Sequence, residues 1–156
     1  MARFTHPAVS VEGSSENGNW TVVGGTIDEA GTVVPEDQPQ FSSDPLFEGH
    51  YVVVANICNF AVDVNMDNIT SFGDGQYFID LPFASHHNAL FSSGCLHDEN
   101  TGNQYAMLGH VVSGTNRMTL LSIASNGQHV PFDDKSPITL NILDSFHITG
   151  TYEILH

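Results

Sequence analysis

The sequence predicts an all-β fold, a sandwich, jelly roll or barrel over residues 50–156, preceded by an extended N-terminal arm over residues 1–49. Three observations carry this prediction. Apolar and polar residues alternate over short stretches, turn-forming residues interrupt the chain at short intervals, and no window shows a helical period with caps. A chain of 156 residues fits one domain, and 40% apolar residues are enough for a core.

The arm comes first. Residues 1–49 contain Pro7, Pro35, Pro39 and Pro45, many Gly and Ser, and two brief apolar pieces, WTVV at 20–23 and TVV at 32–34. Such a segment is ordered only by lying on something else, adding at most a short edge strand. Strands are expected beyond it. Cys58, Phe60, Val62, Val64 and Met66 point one way, and Asn59, Ala61, Asp63 and Asn65 the other. Tyr77, Ile79, Leu81 and Phe83 alternate with Gln76, Phe78 and Asp80. Further strands are expected at 89–94, 104–113, 117–124, 137–143 and 146–154, separated by GDG, DENTGN, SGTN, SNG and DDKSP turns. About eight short strands at this spacing make a sandwich, jelly roll or barrel.

Charge excludes whole classes of partner. Arg3, Arg117 and Lys135 face eighteen acids, for a formal net charge of −15. Nucleic acid and anionic membrane attract proteins through clustered Lys and Arg, so neither is an expected partner. Residues 1–15 lack an apolar signal core, and no apolar run approaches the roughly 20 residues of a membrane span, so no membrane passage is expected. Cys58 and Cys95 make no disulfide framework; one disulfide between them is geometrically possible, and a reduced pair is the expectation.

The motifs that suggest chemistry mostly dissolve on inspection. The stretch FGDG at 72–75 has a Gly-x-Gly core, but it precedes a strand, lacks a third glycine and carries Asp74 where a phosphate would sit. Gly73 and Gly75 are therefore expected to supply positive φ angles for a strand-entry turn. The run DVNMDNITSFGD at 63–74 mimics a calcium loop but has Asn68 where that loop needs glycine, and Asp63, Asn65 and Asp67 continue a strand pattern. His86, His87, Cys95, His97 and Asp98 are all metal-ligand types, yet their spacing matches no compact site, so no metal is assigned. There is no Gly-x-Ser-x-Gly elbow, and paired carboxylates among eighteen acids reflect abundance. Trp20, Phe41, Phe47, Tyr51 and Phe78 lie in the arm or on the minority face of their strands, where they would mark a subunit interface or be covered by the arm.

Several blocks together carry a resemblance: DPLFEGHYV (44–52), VDVNMDNITSFGDGQYFIDLPF (62–83), GCLHD (94–98), QYAMLGHV (104–111), SNGQHVPF (125–132) and DSFHITGTYEI (144–154). Over about residues 40–155 this series resembles a β module of tailed bacteriophage virion proteins, which is free-standing in some phages and ends a longer tail or fibre protein in others. The arm has no strong match. The resemblance implies a non-enzymatic structural protein with no catalytic residues, cofactor or metal. It also implies that the β region is a jelly-roll-like antiparallel sandwich assembling as a homotrimer, made in the host cytoplasm and built into the virion against the major capsid protein or another virion protein. The expected role is capsid decoration or cement, with tail-fibre or tail-tip receptor binding as the alternative. On this reading Pro82 ends a strand at a sheet corner, Gly94 and Gly150 permit close backbone approach, and His97 and His147 are polar groups fixed in the fold.

Overall fold

The alternation in Ile57–Asn65 becomes a strand with Cys58, Phe60, Val62 and Val64 buried. A computed structural model describes residues 15–20, 22–43 and 46–156, so the expectation for residues 1–14 of the arm falls outside the described residues. The strands are β1 (Ser15–Trp20), β2 (Val23–Ile27), β3 (Gln40–Phe41), β4 (Leu46–Val54), β5 (Ile57–Asn65), β6 (Ile69–Ser71), β7 (Gln76–Asp80), β8 (Ala89–His97), β9 (Gln104–Val111), β10 (Arg117–Ile123), β11 (His129–Pro131) and β12 (Ser145–Glu153). The fold is all-β, and the one 3-10 turn among the described residues is Pro35–Asp37.

Ten strands form a single antiparallel sheet in the order β1-β4-β5-β12-β8-β9-β10-β7-β2, with β11 on the far half of β10. A separate two-stranded pair joins β3 and β6. Only residues 21 and 22 separate β1 and β2, which are the two edges of the long sheet. Three consecutive Cα–Cα steps reach at most about 11 Å, so the sheet has to curl until its edges nearly meet. The result is a half-barrel whose halves face each other across one core. At the seam the Trp20 indole N–H donates to the Asp80 carbonyl at 3.1 Å, and Val22 turns inward into the core.

Residues 15–20 and 23–27 are therefore strand within the sheet, residues 28–39 are turns around the 3-10 turn, and residues 49 and 50 both lie inside β4, which pairs along its whole length with β5. Glycines hid this from the pattern. In the β1–β4 register Trp20 faces Gly49 and Gly18 faces Tyr51, so each strand covers the other's glycine with an aromatic ring. A Cβ on Gly49 would stand 2.8 Å from the Trp20 ring, and one on Gly18 would stand 2.6 Å from Tyr51.

One other expectation is corrected. Residues 137–143 form a loop, because Pro137 lacks an N–H and the Asp144 carboxylate accepts the Asn141 N–H at 2.7 Å, closing a turn. Of the two readings of the aromatics, cover within the chain is the one the packing shows. Trp20, Phe41, Phe47 and Tyr51 pack against the core, and Phe78 is buried under the Arg117 guanidinium at 4.0 Å.

Candidate functional site

The strands set up two surface constellations and one interior hollow. The first lies on the outer face of β5, β12 and β8. The β8–β9 register shifts between Phe91 and Gly94, so Ser92 and Ser93 are both exposed. Together with Asn59, Thr149 and Thr151 they line an open groove of about 460 Å³, rimmed by Leu90. The Thr151 hydroxyl donates to Asn59 Oδ1 at 2.7 Å and aligns the two side chains. Beneath the groove, Gly150 leaves room for the Phe60 and Phe91 rings, which meet edge to face with centroids 5.0 Å apart. No lining residue is ionisable, although the chain carries eighteen acids. Such a surface offers hydroxyls and an amide to a neutral polar ligand without electrostatic repulsion.

The second constellation forms where the β7–β8 connection meets the end of β12. His86 Nδ1 lies 3.4 Å from Glu153 Oε1, and His87 Nε2 lies 3.3 Å from Glu153 Oε2. The two imidazoles stack with centroids 4.2 Å apart. Their backbone is fixed on three sides. The His86 N–H donates to the Glu153 carbonyl (2.8 Å), Ser113 Oγ donates to the His86 carbonyl (2.7 Å) and Ser85 Oγ donates to the His87 carbonyl (2.7 Å). Asn56 Nδ2 donates to Glu153 Oε1 at 3.1 Å and orients the carboxylate.

The histidine, cysteine and carboxylate set read along the sequence is thus divided. His86 and His87 come together and gain Glu153, which the spacing gave no reason to include. His97 pairs instead with Glu99 at 3.3 Å. Asp98 organises the β8–β9 turn, accepting from the Thr101 hydroxyl at 2.7 Å and from the Asn100 N–H at 3.0 Å. The Thr101 hydroxyl, helped by the Asn100 and Thr101 N–H groups and by His97, holds its carboxyl below the ordinary aspartate range, although burial pushes the other way. His147 is exposed on the outer face of β12.

Cys58 and Cys95 are free, and Cys58 is fully enclosed. Burial pushes the Cys58 thiol up to about 11, which suppresses the nucleophilic thiolate. Gly73 and Gly75 take φ of +74° and +105°, so FGDG is a strand-entry turn. It borders an acidic hollow that includes Asp28, Glu29, Asp37, Asp74 and Asp133, a poor environment for phosphate. Asn65 Oδ1 accepts the Asp67 N–H at 2.8 Å in a tight turn, so Asp63, Asn65 and Asp67 do not form a continuous row along one strand face. An apolar hollow of about 130 Å³ lies inside the half-barrel among Gly24, Phe47, Val64, Met66, Tyr77 and Phe146.

No family model matches the sequence, and no curated protein matches it. A solved structure matches its fold. The crystal structure of the Dettilon tailspike protein (gp208) superposes with a TM-score of 0.58 and 17% identity, over 90% of this chain and 24% of that one. At that identity the likeness establishes a shared fold, and this chain spans about a quarter of the tailspike's length.

Proposed function

We propose that this chain is a structural module of a bacteriophage virion, working at the tail in attachment. The observation that carries the reading is the fold likeness to a tailspike, in which nine-tenths of this chain corresponds to one module of a much longer protein. The sequence resemblance to phage virion β modules over about residues 40–155 points the same way. The tail placement is preferred to capsid decoration, the role the sequence put first, because the matched structure is a tail protein.

Within this reading the uncharged groove of Asn59, Ser92, Ser93, Thr149 and Thr151 is the surface suited to a neutral polar receptor such as a cell-surface glycan. The remaining acidic surface keeps particles apart and discourages nonspecific adhesion. The module is non-catalytic and acts as a homotrimer docked on a neighbouring virion protein, assembled in the host cytoplasm. Purified chain added in excess is expected to slow adsorption of the parent phage to its host, and Thr149→Arg, at an exposed position, is expected to remove that competition. Adsorption unaffected by saturating protein would contradict the attachment role.

A further inference from the structure

We propose that His86, His87 and Glu153 form a binding site for a divalent transition-metal ion of the zinc type. The donor set is chemically suited: two neutral imidazoles and one carboxylate are ordinary zinc ligands, and three protein ligands leave a position open for water or a further group. In a tetrahedral site with bonds of about 2.0–2.1 Å, neighbouring donors stand about 3.3 Å apart. His86 Nδ1 lies 3.4 Å from Glu153 Oε1 and His87 Nε2 lies 3.3 Å from Oε2, and with one donor atom from each residue all three lie within 4.8 Å of one another. His86 and His87 are 47% and 68% exposed, so both rings are open to an ion arriving from solvent.

Outer partners orient the ligands of metal sites, and here they act on the carboxylate and on the two histidine backbones. The Ser85 and Ser113 hydroxyls hold the His87 and His86 carbonyls, and Asn56 holds the carboxylate. Ser85 also bridges to Ile154, and the Leu155 N–H donates to the Ala84 carbonyl at 2.9 Å, so the loop and the end of β12 already run side by side. A strongly negative chain adds long-range attraction for a cation. Bound here, the ion would tie the β7–β8 connection to the last strand, and it would stabilise the folded chain by mass action because the unfolded chain lacks the arrangement.

The test uses the full chain, zinc chloride and calorimetric titration, with thermal unfolding as a second readout. One ion per chain is expected, with a rise in Tm that grows with zinc concentration. His87→Ala and Glu153→Gln are each expected to weaken binding by more than about 100-fold, beyond what loss of an outer partner costs, and to abolish the Tm rise. Glu153→Gln keeps an acceptor for Asn56, so it separates loss of a ligand from loss of folding. His97→Ala, at the other histidine–glutamate pair, is expected to bind as the parent does. Absence of zinc binding at hundred-micromolar concentration, or binding unchanged in both site variants, would overturn the assignment.

Discussion

Asp98 shows how one side chain fixes a loop and how the sequence conceals it. Its carboxylate collects the Thr101 hydroxyl and the Asn100 and Thr101 N–H groups, which hold its pKa below the ordinary aspartate range. A depressed carboxylate contributes stability that is fully present above the unfolded value, about 3.9, and is lost as pH falls through the lower folded value. Denaturant midpoints followed from about pH 5 to about pH 2 are expected to fall along this limb, and Asp98→Asn is expected to flatten it. An unchanged acid limb in the variant would mean that the turn does not favour the ionised form. In the sequence, Asp98 looked like a metal ligand beside His97, because ligand types and turn formers are the same residues. The FGDG turn was legible because glycine order, strand order and the sign of Asp74 all pointed one way. Glu153 was not legible as a partner of His86 and His87, since only the pairing of β12 with the rest of the sheet brings it there.

At the level of elements, period-two alternation found the central strands and missed the edges. β5, β10 and β12 bury one row of side chains each, so their pattern is clean, while β7 buries Tyr77, Phe78 and Ile79 on both faces. β1, β2 and β4 contain glycines covered by aromatics from a neighbouring strand, and that pairing erases the alternation. The edge of β2 is managed by a side chain. Gln38 Oε1 accepts the Thr26 N–H at 2.9 Å while its Nε2 donates to the Thr26 carbonyl at 2.8 Å, imitating a neighbouring strand. This occupies backbone groups that would otherwise invite edge pairing. Because Thr26 is fully buried, Gln38→Ala is expected to cost about 3 kcal/mol in equilibrium unfolding and to promote self-association at the β2 edge. A variant as stable and as dispersed as the parent would show that water replaces the amide without loss.

At the scale of the whole molecule, the all-β class was readable and the curl was not. The curl follows from a two-residue link between the first and last strands of a ten-stranded sheet, a relation that no local window contains. Because β1 and β2 close the half-barrel and Val22 belongs to its core, residues 15–20 and 22–27 are part of the folded unit. Large apolar side chains left exposed include Val52, Val54 and Ile57, which share the outer face at the β4–β5 turn. The proposed trimer predicts three times the chain mass by sedimentation at micromolar concentration, and a clean monomer there would remove that part of the proposal. The attachment role is tested most directly by labelling intact virions with an antibody to this chain and imaging where the label falls. The account predicts label confined to the tail end. Label spread over the head, or absent from the particle, would contradict it.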